Sequence, residues 1–325
     1  MTVPDSSRKL VTVFGGSGFL GRYVVRALAQ RGHRVLVAVR RPDLAGHLQP
    51  LGTVGQIKAI QANLRYRWSV DRAVEGADAV VNLVGILAES GRQRFDAVQA
   101  FGPRAIAEAA RAAGIANVTH VSAIGADPES DIPYARSKGL GERGMLETVP
   151  GAVVMRPSII FGPGDHFFRR FAGMARVSPG LPLIGGGGTR FQPVFGGDVG
   201  EAVARAVDGV SRRGTVYELG GPEVMTLREV YERVLAQTGR RRMLVPLSFK
   251  ISKMLGRVLG AFPMAPITYD QVRQLEHDNV VSAEAQAEGR TLEGLGIEPT
   301  AVDVILPTYL VSYRERGQFA RIGAS

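Results

Sequence analysis

The chain has 325 residues, 45% of them hydrophobic, no cysteine, and a formal net charge of +10 with a pI near 10.3. That apolar content can bury a sizeable core as one large domain with a smaller lobe; the lack of cysteine excludes disulfides and thiolate chemistry and fits a reducing compartment, and the scattered histidines predict no metal site. The charge points to an acidic partner, anionic lipid or nucleic acid, and nucleic acid ranks last because no module signature is present and few aromatics interleave with the basic residues.

The first strand is read from Leu10 to Phe14, too close to the start for a secretory signal or mitochondrial presequence. No apolar run approaches the ~18 residues needed to span a bilayer. An intracellular protein with no transmembrane span is expected.

That strand runs directly into Gly15-Gly16-Ser17-Gly18-Phe19-Leu20-Gly21. The spacing Gly15-x-x-Gly18-x-x-Gly21 lets the backbone turn without a Cβ, admits a pyrophosphate close to the main chain, and lets a helix pack tightly on the strand. Free N–H groups at the helix start then face the anion. Phe19 to Arg31 carries a helical stripe of Leu20, Val24, Val25, Leu28 and Ala29 that ends at Gly32, and Arg34 to Val39 is a β-branched run. The unit is βαβ. The position that selects between nicotinamide cofactors lies about twenty residues past the last glycine, and Arg40-Arg41-Pro42 stands there. Guanidinium groups only donate and suit a 2′-phosphate, so NADP(H) is expected over NAD(H); the plainer reading is a solvated strand end.

The alternation continues with strands at Ile57–Gln61, Ala79–Val84 and Asn117–Val121 and a helix over Arg104–Ala113. The fold class is α/β, a doubly wound parallel sheet of Rossmann type. Loops at the carboxyl ends of such strands line the cofactor crevice, which makes Asn63, Leu64, Val84 and Gly85 candidates for adenine and ribose contacts, each with an ordinary turn as the alternative. Tyr134-Ala-Arg-Ser-Lys138 places a phenol and an ammonium one helical turn apart. There the lysine can lower the tyrosine pKa and donate to ribose hydroxyls.

With Arg156-Pro157-Ser158-Ile159-Ile160-Phe161-Gly162 after the next strand, together with His120-Val-Ser122, Gln192-Pro-Val194 and Asp198-Val199, the chain resembles the extended and atypical short-chain dehydrogenase/reductase superfamily. Within it, the chain looks most like the nucleotide-binding accessory subunits of respiratory complex I, the alpha subcomplex subunit 9 type, in a bacterial form. The resemblance implies that Gly15, Ser17, Gly18, Phe19, Leu20 and Gly21 hold the cofactor's phosphates, that Tyr134 and Lys138 are the catalytic pair, and that Pro157, Ser158 and Ile159 flank the nicotinamide. It also implies a serine or threonine just beyond the fifth strand. With Val121 as the last strand residue that position falls near Ile124, and Ser122 comes two residues early, about 7 Å short. The triad is therefore read as incomplete, with Tyr134 and Lys138 retained to hold the ribose of a structural NADPH.

The second half is read as a smaller C-terminal α/β lobe. The domain expectation is a nucleotide-binding domain over 1–160 with a returning segment about 190–220, and a partner or substrate lobe over 161–325. Gly185 to Gly188 lacks the features of a phosphate loop and is read as a turn. Asp198 is expected to cap a helix running to Val207, Thr215–Leu219 to form a strand, and Thr226-Leu-Arg-Glu229 to form a capping box. Arg240 to Tyr269 holds Arg240, Arg241, Arg242, Lys250, Lys253 and Arg257 and no acidic residue. Within it Leu247, Ile251, Met254, Leu255, Val258, Leu259 and Phe262 make a stripe with Lys250, Lys253 and Arg257 opposite, a pattern for docking on an anionic lipid surface or a membrane-embedded partner. A lobe helix with its stripe on the core is the alternative. The tail from Thr300 to Phe319 is again helical in spacing, and Pro307 is expected to interrupt it.

Two functions follow. One is a non-catalytic NADPH-binding accessory subunit of a membrane-bound NADH:quinone oxidoreductase, peripheral on the cytoplasmic face of the bacterial inner membrane near the junction of its arms. The other is a free NADP-dependent sugar-nucleotide epimerase or reductase.

Overall fold

The computed structural model of the chain describes residues 8–259, 269–315 and 317. Its larger unit is built on seven strands: β1 (Leu10–Phe14), β2 (Arg34–Val39), β3 (Ile57–Gln61), β4 (Ala79–Asn82), β5 (Val118–Val121), β6 (Val153–Pro157) and β7 (Val216–Leu219), in the order β7-β6-β5-β4-β1-β2-β3. Every pairing in this sheet is parallel. Parallel strands are covered on both faces, which is why they read as near-continuous apolar runs: Val11, Val13, Phe14, Val80 and Val81 are all buried. The strand order reverses between β1 and β4, and the crevice at their carboxyl ends is the place such sheets offer a ligand.

Helices α1 (Phe19–Gln30), α2 (Arg67–Val74), α3 (Phe101–Ala112), α4 (Pro133–Thr148) and α5 (Gly196–Asp208) cover the sheet. α1 and α5 approach closely because Gly196 and Gly200 face Tyr23; a Cβ on Gly200 would lie 2.9 Å from the Tyr23 backbone. Arg31 at the end of α1 clamps the pair, donating to Glu201 at 2.8 Å and to Asp208 at 2.8 Å. Asp198 is not the cap of α5. The helix begins two residues earlier, at Gly196, and Asp198 sits in its first turn, where a carboxylate still favours the positive end of the helix dipole.

The larger unit comprises residues up to Pro157, Gly196–Leu219 and Ser282–Glu298. The last segment differs from the sequence expectation, which left all of 282–298 in the smaller lobe. It belongs here because Ala285, Leu292 and Leu295 are buried, and Arg290 donates to the Val216 carbonyl at 2.9 Å while its own carbonyl accepts from Glu218 N.

The smaller unit, Ser158–Phe195, Gly220–Val281 and the chain from Pro299 on, is organised by short strand pairs. Gly180–Ile184 runs parallel to Met243–Leu247, and Arg190–Phe191 antiparallel to Met225–Thr226. The capping box at Thr226 is present, with Thr226 and Glu229 bonding reciprocally at the start of helix Leu227–Thr238. Gly185 to Gly187 all take positive φ in a single tight turn, as the glycine run suggested. Pro307 does not interrupt the tail: a helix runs over Val302–Leu310, held by Val302, Leu306 and Leu310 buried against Phe161 and Phe168.

The basic amphipathic segment forms helix Phe249–Leu259, but its faces are not divided as expected. Ser252 is its buried polar residue, Lys253 is drawn into an ion pair with Glu276 at 2.8 Å, and Ile251 and Met254 stand exposed beside Lys250 and Arg257. The described part of the apolar stripe is therefore split: Ile251 and Met254 face out with the charge, whereas Leu247 and Leu255 are half-buried. Phe262 and Phe319 lie outside the described residues.

Because α1 and α5 meet through a glycine, Gly200→Ala is expected to overpack the crossing and cost about 1–3 kcal/mol. Thermal unfolding, compared with the same change at the open Gly46, checks this.

Candidate functional site

The glycine turn between β1 and α1 is as tight as its spacing implies. Gly15 takes φ 78°, in the left-handed region, and donates to the Ala38 carbonyl at 3.1 Å, pinning the turn to β2. A Cβ on Gly21 would lie 2.3 Å from the Gly16 oxygen, and one on Gly16 3.0 Å from Val37, so neither position has room for a side chain. α1 has no side-chain cap and no acidic residue in its first turn. Its leading N–H groups are thus available to an anion brought close by Gly15, Ser17, Gly18, Phe19, Leu20 and Gly21.

At the end of β2 the two arginines differ. Arg41 is already committed, donating from Nε and Nη2 to Asp43 at 3.0 and 2.7 Å. Arg40 is exposed and makes no ion pair among the described residues. Of the loop residues, Asn63 is held by Ser69 Oγ, which receives its N–H at 3.0 Å. Leu64 packs where a Cβ on Gly102 would come within 2.8 Å. Val84 abuts Gly15, 3.2 Å from the position its Cβ would occupy, so the loops after β1 and β4 adjoin.

Lys138 reaches from α4 into this crevice. Its Nζ donates to the Val121 carbonyl at 3.4 Å and lies 3.2 Å from where a Cβ on Gly85 would be, so a side chain there would crowd the ammonium beyond the end of β4. Burial pushes its pKa down to about 8, opposed by the carboxylate of Glu142 one turn further along α4. Glu142 is itself buried and grips Arg156 through three hydrogen bonds, at 2.9, 3.1 and 2.5 Å. The Arg-Pro segment is therefore tied to the lysine helix by a charge-assisted fork. Gly139 and Gly141 let that helix sit low: their Cβ atoms would fall 2.2 Å from the Pro128 nitrogen and 2.1 Å from the Gln99 carbonyl oxygen.

Gln99 was not foreseen from the sequence. It lies in a π-helical turn, Asp96–Ala100, ahead of α3, accepts from Ile86 N at 2.7 Å and donates to Ser137 Oγ at 3.1 Å. It thereby braces the loop after β4 against the Tyr134–Lys138 turn. Nothing in a short mixed segment signals a π turn; Glu142 was visible as the residue four after Lys138, and Asp43 as the acid two after Arg41.

The expected coupling within the Tyr134–Lys138 pair is absent. Burial pushes the phenol up to about 12, and the lysine does not lower it. The Tyr134 ring instead stacks edge-on against Phe95, centroids 5.9 Å apart. Beyond β5, Ser122 N donates to Met155 O at 2.7 Å and Ile124 N to Pro157 O at 3.1 Å. The pairing with β6 thus continues, and the side chains of Ser122 and Ile124 share one face. Ser122 Oγ is buried with no partner, as is Nε2 of His120, whose pKa falls to about 3 through burial and whose Nδ1 accepts from the Asn82 amide at 3.1 Å. Pro157 ends β6, whereas Ser158 and Ile159 open the smaller unit, where Ser158 Oγ is bound to Asn279 at 2.7 Å.

This constellation fits a dinucleotide: a cradle a Cβ would fill, an uncapped helix start, a buried ammonium at the ends of β4 and β5, and the buried, unpartnered Ser122 hydroxyl just beyond β5. The sequence profile of the NAD dependent epimerase/dehydratase family matches residues 11–220. The chain belongs to that family. It is 32% identical over 299 residues to the mitochondrial NADH dehydrogenase (ubiquinone) 1 alpha subcomplex subunit 9 of Rattus norvegicus, covering 91% of this chain and 78% of that one. The subunit of the same name from Arabidopsis thaliana is 33% identical over 320 residues, covering 95% and 79%. Among solved structures, the dTDP-glucose 4,6-dehydratase of Streptomyces venezuelae, determined with NAD bound, superposes with a TM-score of 0.69 at 21% identity over 95% of this chain and 98% of that one. The fold of this family member is that of the extended short-chain dehydrogenases/reductases, a fold that binds NAD or NADP.

Lys138 titrates near 8 in the folded chain against 10.5 when unfolded. Between those values the unfolded state holds the extra proton, so stability rises with pH across the window, and below about pH 8 the buried ammonium costs its full desolvation. Lys138→Met removes this slope. Parallel unfolding titrations of the two proteins from pH 7 to 10.5 are expected to converge as the pH rises.

Proposed function

We infer that this family member is a non-catalytic, NADPH-holding accessory subunit of a membrane-bound NADH:quinone oxidoreductase, peripheral on the cytoplasmic face of the bacterial inner membrane near the junction of the peripheral and membrane arms. The observation that carries the reading is its likeness, over more than nine-tenths of its length, to the complex I subunits of an animal and a plant.

The site supports holding over turnover. Tyr134 is a poor acid at neutral pH when its own pKa is raised and no cation acts on it. Ile124 stands where the substrate-orienting hydroxyl belongs. When bound, the nucleotide would supply hydride chemistry. This chain's residues would cradle its phosphates at Gly15–Gly21, hold its ribose from Tyr134 and Lys138, and flank its nicotinamide with Pro157, Ser158 and Ile159. Arg40, the uncommitted guanidinium at the end of β2, would meet a 2′-phosphate, with Arg41 as a second donor after partial release from Asp43.

The smaller unit supplies a membrane-facing surface in this reading. Val177, Met243, Val245, Ile251 and Met254 are exposed there beside Arg241, Lys250 and Arg257, a composition suited to anionic lipid. No helix among the described residues is long and apolar enough to cross a bilayer.

Purification of the tagged chain from native membranes in mild detergent is expected to recover the oxidoreductase subunits with near-stoichiometric NADPH. A soluble chain without partners would overturn the reading, and so would loss of oxidoreductase or reductase turnover in a Tyr134→Phe complex, which is expected to keep full activity while holding its nucleotide less tightly.

Arg40→Asp is expected to weaken NADPH by about 1.5–3 kcal/mol, roughly ten- to a hundredfold, and Arg41→Ala by less, with NADH affinity little changed. Calorimetric titration of both nucleotides tests the assignment; equal losses for the two would refute it.

A further inference from the structure

The larger unit carries an exposed aromatic and arginine face outside the nucleotide crevice. The chain's only tryptophan, Trp68, is 63% exposed at the start of α2, with Tyr66 54% exposed just before it and Phe101 59% exposed at the start of α3. The start of α2 is joined to α3 by charge at Glu108, two turns along, and Leu64 packs at Gly102 beside Phe101. Arg67 of α2 and Arg104 of α3 both donate to Glu108, at 3.0 and 3.1 Å, and Phe101 lies one turn before Arg104 on the same side of α3. Arg65 donates to the Arg92 carbonyl, which brings the loop after β4 to the same edge.

An exposed tryptophan, tyrosine and phenylalanine cost solvation and need a reason. Single exposed apolar residues are ordinary, whereas a cluster of large aromatics interleaved with arginine is the composition of interface hot spots. Lysine, which interfaces disfavour, is absent here: every Lys or Arg between Lys58 and Lys138 is an arginine.

We propose that this face is a docking site for an acidic protein surface. The argument for the occupant is charge. Arg65 and Arg92 are exposed, and neither forms an ion pair among the described residues, so their guanidiniums are open to carboxylates. A second copy is disfavoured because a two-fold contact would set the arginines against themselves. Nucleic acid is disfavoured because Asp71 and Glu108 neutralise Arg67 and Arg104, which leaves separate cations and no continuous basic track for a phosphate backbone. The proposal rests on the accessory-subunit reading for the identity of the partner, but not for the existence of the face.

The test places a photo-cross-linking phenylalanine at Tyr66 of the full chain in cells of the native source, with the same group at the fully exposed Val54 as control. The expected result is one protein adduct at Tyr66, through an acidic segment, absent at Val54. Its yield should fall at least tenfold in Trp68→Ala and in the double variant Arg65→Glu/Arg92→Glu, and less steeply in high salt. Bound nucleotide measured in each variant shows that the fold is kept. An adduct to nucleic acid, to lipid or to a second copy overturns the proposal, as does yield indifferent to charge reversal or no adduct above the control. An acidic partner foreign to the quinone oxidoreductase upholds the docking face and sinks the subunit reading. A chain that co-purifies with the oxidoreductase but forms no adduct at Tyr66 does the reverse.

Discussion

The constraint on which the nucleotide turn depends is the absence of room between Gly16 and Gly21, where a single methyl would meet a carbonyl oxygen at 2.3 Å. This contact sets the height at which α1 leaves the sheet. It brings the uncapped helix start over the end of β1, and through the Gly15 bond to Ala38 it fixes that turn against β2. The position of α1 then dictates that of α5, which meets Tyr23 through Gly196 and Gly200. A conserved volume at one turn thus propagates across the layer, since packed interiors transmit displacement rather than absorb it.

On the other side of the switch point the same economy of space governs α4. Gly139 and Gly141 allow it to sink onto the Asp127–Pro128 and Gln99 backbones, and Gly85 leaves a void that Lys138 fills with its ammonium. Burying that charge is unfavourable, as its lowered pKa records, and the structure compensates with Glu142. Glu142 is in turn neutralised by Arg156, so one carboxylate serves two cations. The ladder Lys138–Glu142–Arg156 links the crevice to the end of β6. An ammonium built in this way is positioned for a fixed acceptor such as a ribose, and it is poorly placed to tune a phenol that titrates near 12.

The strands and the glycine turn were legible because period and spacing carry them. β2 and β3 begin and end where the apolar runs do, and β5 ends at Val121 as the reading of the missing hydroxyl required. What escaped was tertiary. The hold of Asp43 on Arg41 separates two arginines that look equivalent in sequence. The π turn that aims Gln99 has no composition of its own. The return of Ser282–Glu298 to the larger unit depends on Arg290 finding a β7 carbonyl far away in the chain. Pro307 was misjudged because proline removes one helix bond, whereas burial of Leu306 and Leu310 on either side of it supplies the compensating term.

The charge of +10 gains meaning once its members are placed. Arg31, Arg67 and Arg156 are held by ion pairs that fasten one element to another, and Arg104, Arg205 and Arg290 by pairs within their own segments. Internal pairing is neutral, so the excess lies among the other cations, and two surfaces that carry some of them differ in character. Lys250 and Arg257 stand beside aliphatic Ile251 and Met254, a pairing that suits the diffuse charge and hydrocarbon of a lipid boundary. Arg65 and Arg92 stand beside Tyr66, Trp68 and Phe101, where planar donors and rings suit the fixed carboxylates of a protein. Exposed aliphatic carbon in one unit and exposed aromatic carbon in the other are a distinction that net charge alone conceals.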